Sequence, residues 1–183
     1  MITKIQQHVK ELCEIDQKYG MRAYNTHFLS TVKYAKILAE KLGGDIEIVE
    51  IAAWLHDVAS IKGEYQEHHI KGAEYAEKYL KGQFNYSQEK IDQVKHCIYA
   101  HRGSKDIKRE TVEAECVASA DAMSHFDDIA AMFGLAYIGH KIIDTEEAKQ
   151  FVKSKLQRSW NKLIPEAKEI IKDQYDAAML LLD

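Results

Sequence analysis

Apolar residues recur at spacings of three and four along nearly the whole chain, the period of an amphipathic helix. Ile5, Val9, Leu12 and Ile15 predict a helix over residues 3–19, which Gly20 ends. Phe28, Val32, Ala35, Leu38 and Leu42 predict a second over 26–42, stopped by Gly43-Gly44. Asp45 then has the character of an N-cap, and Ile48, Ile51, Ala52, Leu55 and Ala59 follow it. Ala53 and Trp54 make that third helix apolar on a wide face, up to His56-Asp57. Further helices are predicted from Glu67 to Leu80, from Ser87 to near Arg102-Gly103, and over about 111 to 139 with a hinge at Gly134. Segments 145–160 and 163–182 complete an all-α pattern of seven to nine helices.

Composition narrows this picture. One proline and nine glycines in 183 residues leave few breaks, and no repeat, low-complexity tract or linker divides the chain. A single-domain multi-helix bundle over residues 1–183 is expected. The content, 46% hydrophobic and 30% charged, is that of a globular protein, and no run approaches the ~18 apolar residues of a membrane span. The first eight residues, Met1 to His8, lack the apolar centre of a secretory signal, so a cytoplasmic location is expected. Cys13, Cys97 and Cys116 are odd in number and widely spaced, which fits reduced thiols. A net charge of −4 gives no global basic field for nonspecific nucleic-acid binding, so a small-molecule partner is favoured.

The nine histidines carry the candidate chemistry. His56-Asp57 ends a strongly apolar helix, where an imidazole beside a carboxylate is costly to bury unless a cation resolves the cost. His27 shares the inward stripe of Ala35, Leu38 and Leu42. Asp121 lies within Val117-Ala118-Ser119-Ala120-Asp121-Ala122-Met123, a stretch too poor in charge for a solvated face. Together, His27, His56, Asp57 and Asp121 offer two neutral nitrogens and two carboxylates from three helices, a donor set for a metal ion. Oxygen and nitrogen donors without thiolate suit Mn(II), Fe(II), Zn(II), Ni(II) or Co(II).

The order His27, His56-Asp57, Asp121 resembles the H...HD...D signature of the HD-domain superfamily of metal-dependent phosphohydrolases. Ala52-Ala53-Trp54-Leu55-His56-Asp57-Val58-Ala59 resembles that family's apolar helix around the doublet, and His68-His69-Ile70-Lys71-Gly72-Ala73 its H-x-x-x-G-A element. Ile98-Tyr99-Ala100-His101-Arg102 is similar to the I-x-x-H element, and Ser119-Ala120-Asp121-Ala122 to the final A-D. The likeness spans about residues 22–130. Residues 140–183 carry no recognised motif and are expected to buttress the bundle.

The resemblance implies an HD-type helical fold and one or two divalent ions. His27, His56, Asp57 and Asp121 would hold the first ion, while Asp57 would bridge to a second held by His68 and His101. His69 and His96 compete with those two, and spacing to Gly72-Ala73 favours His68. His8, His125 and His140 fall outside the motifs and read as structural or exposed. The implied reaction is hydrolysis of a phosphate ester or anhydride, in a nucleotide or other small phosphorylated metabolite, through a metal-bound hydroxide. A nearby cation would stabilise the phosphate: Arg102 first, because a guanidinium meets phosphate bidentately, then Lys62 and Lys105.

Two departures narrow the substrate. The segment Val58-Ala59-Ser60-Ile61-Lys62-Gly63-Glu64 lacks the Glu-Asp pair of the superfamily's alarmone hydrolases, and no Gly-Tyr-Pro follows His101 as in its cyclic-diguanylate phosphodiesterases. Glu64 and Glu67 are left as candidates to position water. A di-iron oxygenase and a noncatalytic metal-binding helical module are the alternative functions.

Overall fold

The computed structural model describes residues 1–18, 20–103, 105 and 107–183. The described residues are helical and contain no strand. The helices are α1 (Ile2–Ile15), α2 (Gly20–Ala23), α3 (Leu29–Leu42), α4 (Ile46–Leu55), α5 (Val58–Ile61) and α6 (His68–Gln83). Then come α7 (Gln88–Ala100), α8 (Val112–Ser124), α9 (Ile129–Gly134), α10 (Thr145–Lys162), α11 (Pro165–Ile170) and α12 (Lys172–Leu181). Among the described residues, no helix is long and apolar enough to cross a membrane.

Helix starts follow local chemistry. The Asp45 carboxylate accepts from the amides of Glu47 and Ile48, at 2.9 and 3.2 Å, and opens α4. Thr111, Asp128 and Asp144 cap α8, α9 and α10 in the same way. Gly43 closes α3 in the left-handed conformation, at φ 77°, that glycine adopts without a Cβ penalty.

The core is built on α3, α4, α7 and α8, with α3 packed along α8 and α6 along α7. Helix α4 is buried from Ile48 to Leu55 except at Glu50, which is part-buried and pairs with Lys36 at 3.2 Å, as its largely apolar sequence requires. Its C-terminal end therefore delivers His56 to the middle of the molecule. Gly72 lets α6 approach that end closely, since a Cβ there would lie 3.1 Å from both the His56 carbonyl oxygen and Ile98 Cγ2. The three cysteines are buried and free.

Four predicted helices are broken. The helix predicted over 3–19 ends at Ile15, and Tyr19 lies outside the described residues. Gly20 opens α2, with its amide bonded to the Asp16 carboxylate at 2.9 Å. Residues Tyr24–Phe28 form a π-turn ahead of α3, where the Leu29 amide bonds the Tyr24 carbonyl. The stretch over 111–139 breaks at 125–128, before Gly134, because His125 and Phe126 close α8 and Asp128 recaps the chain. A second π-turn, Leu135–Gly139, follows α9. Residues 163–182 break at Ile171 into α11 and α12.

Candidate metal centre

The π-turn carries His27, the end of α4 carries His56, and Asp57 sits in the turn before α5, at φ −109° and ψ 11°. That conformation lies in the sparsely populated bridge region in which many active-site residues are found. Asp121 comes from the last turns of α8, His68 from the first residue of α6 and His101 from the end of α7.

These six side chains form two groups joined by one carboxylate. His27 Nε2 lies 2.9 Å from His56 Nε2. Asp57 Oδ2 is 3.4 Å from the first nitrogen and 3.8 Å from the second, and Asp121 Oδ1 is 3.7 and 4.0 Å from them. On the other side, His68 Nε2 and His101 Nε2 are 3.1 Å apart, and Asp57 Oδ1 is 3.6 and 3.9 Å away. Each oxygen of Asp57 thus faces a different pair of imidazoles.

Hydrogen bonds on the far side of each ring fix its tautomer. The Nδ1–H groups of His56, His68 and His101 donate to the carbonyls of Ala53, Tyr65 and Ile98, at 2.8, 2.7 and 2.5 Å. A carbonyl only accepts, so in the neutral form of each ring Nε2 carries a bare lone pair. His27 reaches the same state by a longer route. The Ser124 hydroxyl donates its one proton to the Asp121 carbonyl at 2.7 Å and must therefore accept from His27 Nδ1, at 2.9 Å. Two lone pairs then face each other within each group, with no proton between them.

A cation would resolve that repulsion. Two nitrogens each ~2.1 Å from one ion, at bond angles between octahedral and tetrahedral, are roughly 3.0 to 3.4 Å apart. The observed separations of 2.9 and 3.1 Å fit a shared ion in each group. The protonation states agree. Burial holds the His56 imidazole below its ordinary pKa and pushes His101 down to about 3, so both are neutral near pH 7. Burial alone would raise the Asp57 carboxyl, but the imidazoles of His56, His27 and His68 outweigh it and hold the group well below the usual carboxylate range. Asp121 is also held low, against burial, chiefly by the Lys162 ammonium. His56, His101, Asp57 and Asp121 are thus in the forms that a divalent ion binds.

The competing histidines face elsewhere. His69 is buried, stacks on Tyr99 and receives Arg102 Nη1 at 3.2 Å on its Nδ1. His96 Nε2 accepts from the Glu110 amide at 3.0 Å. His125, read from sequence as structural or exposed, is part-buried beside the centre: its Nε2 is 3.9 Å from Asp121 Oδ1 and its Nδ1 is 2.8 Å from Ser159 Oγ. With His27 and Asp121 it forms a further group of potential ligands.

A cavity of about 340 Å³ opens over these residues, within the usual size range of small-molecule sites. Arg102 lines it, with its guanidinium bonded to the Gln66 carbonyl as well as to His69. Lys62 is not among the lining residues, because its ammonium lies 5.6 Å over the Tyr75 ring; Lys105, Glu64 and Glu67 do not line the cavity either. Cations that the sequence reading missed come from α10, in the segment expected only to buttress. Lys155, Arg158 and Lys162 all line the cavity. Lys162 Nζ is 2.6 Å from Asp121 Oδ2 and 3.1 Å from the His101 carbonyl. Gly103 makes room for it, since a Cβ there would fall 2.5 Å from Lys162 Cδ. The available signal was the spacing 155, 158, 159, 162, which places two lysines, an arginine and a serine on one helical face.

Known proteins share part of this chain's sequence and its fold. The family model for the HD domain matches residues 24–125. The chain belongs to the HD-domain family. Over 108 residues it is 36% identical to ribonuclease Y of Listeria welshimeri and 32% identical to that of Nitratiruptor sp.. Each match takes in 58% of this chain but 18% of the relative, so the chain spans less than a fifth of those proteins' length. Among solved structures, a predicted HD superfamily hydrolase from an uncultured Thermotogales bacterium superposes with a TM-score of 0.58 at 21% identity, covering 85% of this chain and 84% of that one. The Lin1889 protein of Listeria innocua superposes with a TM-score of 0.69 at 18% identity, covering 100% and 93%. Both share the fold.

Proposed function

We propose that this chain, acting as one domain over residues 1–183, is a metal-dependent phosphohydrolase. Its substrate is a phosphate ester or anhydride of a small phosphorylated metabolite, nucleotides included. The observation that supports this reading most directly is the pair of facing imidazole couples with Asp57 between them, an arrangement that makes sense for two adjacent cations. His27, His56, Asp57 and Asp121 would hold one ion, and His68, His101 and the second Asp57 oxygen the other, drawn from Mn(II), Fe(II), Zn(II), Ni(II) and Co(II). When bound, such ions act as Lewis acids toward phosphoryl oxygens and lower the pKa of water toward neutrality.

The chain's own residues supply position and charge. Asp57 holds the two halves of the centre together through its separate oxygens. Lys162 binds the outer oxygen of Asp121, fixing the carboxylate with its other oxygen toward the imidazoles. Arg102, anchored to the Gln66 carbonyl at the cavity wall, presents a guanidinium whose planar fork suits a phosphoryl group. The wall from α9, with Ala131 and Met132, and Leu135 just beyond offers an apolar face to the remainder of the substrate.

The likeness to ribonuclease Y makes an RNA phosphodiester the second reading. One assay separates the readings: protein loaded in turn with each of the five metals is offered small phosphate monoesters, nucleotides and a short single-stranded RNA. Release of inorganic phosphate or pyrophosphate from the small substrates, abolished by chelation and by Asp121→Ala with the helical fold retained, is the expected result. Cleavage of the RNA alone favours the second reading. Metal-loaded protein inert toward every substrate contradicts both.

A further inference from the structure

The first phosphoryl group accounts for the metal centre and its flanking cations but leaves two cations of α10 on the cavity wall unused. Helix α10 buries Ala148, Val152, Leu156 and Ser159 against the bundle, and residues 155, 158 and 162 lie along one border of that stripe. Lys162 is already paired with Asp121. Lys155 and Arg158 also line the cavity, yet among the described residues neither has a carboxylate within ion-pairing distance. Lys155 is partly buried, and its desolvation lowers its pKa even though Asp121 and Asp57 act to raise it. An unpaired cation held in a partly desolvated place is costly, and a salt bridge could have offset the cost. The site keeps it unpaired, facing the volume in which a substrate would sit.

Building on the phosphohydrolase reading, we propose that Lys155 and Arg158 form an anion subsite for a second phosphoryl group. The substrates the cavity prefers are therefore diphosphates or longer phosphoanhydrides and their esters. The residues suit this role. Arg158 is exposed at the rim and can approach a tetrahedral anion through two parallel N–H donors, while Lys155, deeper on the same face, supplies a point charge. Both lie outside residues 24–125, so the subsite belongs to the C-terminal helices and not to the segment the family model matches. A monophosphate would engage the metal centre and leave these two cations unmatched.

The test is calorimetric binding of inorganic pyrophosphate and inorganic phosphate to Mn(II)-equilibrated protein, with the heat of metal–pyrophosphate association subtracted. Wild-type protein is expected to bind pyrophosphate at least tenfold more tightly than phosphate. That ratio should fall toward one in Lys155→Met and in Arg158→Gln, and Lys155→Arg should restore most of it. Arg158 is exposed, so its variant keeps the test valid if Lys155→Met fails to fold. Phosphonoacetate, with a carboxylate in place of the second phosphoryl group, should bind more weakly than pyrophosphate; equal binding overturns the phosphoryl assignment. A wild-type ratio near one, or a ratio unchanged in Arg158→Gln and the lysine variant, overturns the subsite. Metal content and phosphoester hydrolysis are measured on the same samples. Their absence counts against the hydrolase reading, while the binding ratio still decides the subsite.

Discussion

Ser124 shows how a single hydroxyl can set the tautomer of a candidate metal ligand. Its proton goes to the Asp121 carbonyl, so its oxygen takes the Nδ1 proton of His27 and leaves Nε2 bare toward His56. Ser124→Ala removes that acceptor and frees the ring to change tautomer. Loss of such an outer partner typically lowers metal affinity by about 10- to 100-fold, which a competition titration with a chromogenic chelator would detect. An affinity equal to wild type would show that His27 needs no such support. The ligands also predict acid sensitivity. In the folded chain His101 is held near 3, against an ordinary value of 6.5, so between those limits the unfolded chain takes up a proton that the fold refuses. Its contribution is complete above pH 6.5 and is lost as the pH falls toward 3. Asp57 and Asp121, also held low, add a loss below their ordinary 3.8. Metal-free protein should therefore show a falling urea midpoint from about pH 6.5 downward, and a flat midpoint from pH 7 to 4 would contradict the assigned states. Much at this scale was legible from sequence. His27, the His56-Asp57 doublet and Asp121 stand out as polar groups in apolar surroundings, which is a local property. The closeness of His125 to Asp121 was not legible, because it depends on where α8 ends and on Ser159 arriving from α10.

At the scale of elements, the centre is made by helix ends and irregular turns. His56, His68 and His101 each occupy a terminus, where the ring can bond the carbonyl three residues back and still face inward. Close approach of α6 to α4 completes the second group. Gly72→Val places branched carbons where even a Cβ would sit 3.1 Å from the His56 carbonyl. Overpacking of this kind costs roughly 1 to 3 kcal/mol, and because α6 carries His68, the second group should weaken more than the first. Urea denaturation and metal stoichiometry would read the two effects. Unchanged stability would mean that α6 and α4 have room to part. Helix existence was readable from periodicity, whereas the breaks were not. A π-turn inserts one residue without altering composition, so Tyr24–Phe28 looks like ordinary helix. The stop before Asp128 lies in a segment whose apolar residues continue past it, whereas Gly134, the more conspicuous signal, marks only the later passage from α9 into the second π-turn.

Across the whole molecule, segments distant in sequence divide the labour. The first 125 residues carry the six donors, and α10 lays cations across the mouth of the cavity. That contribution could not be read from sequence, because Lys155, Arg158 and Lys162 are three of 25 basic residues on a helix whose polar face looks solvated. Only the packing of α10 on α8 and α9 turns their face toward the ligands. Asp57, serving two cations at once, is the joint on which the proposed centre depends. Metal analysis of Mn(II)-equilibrated protein after gel filtration tests it most directly. The prediction is two ions per chain in wild type, one in His68→Ala and none in Asp57→Asn, each variant retaining its helical circular dichroism. Two ions held by a folded Asp57→Asn variant would contradict it.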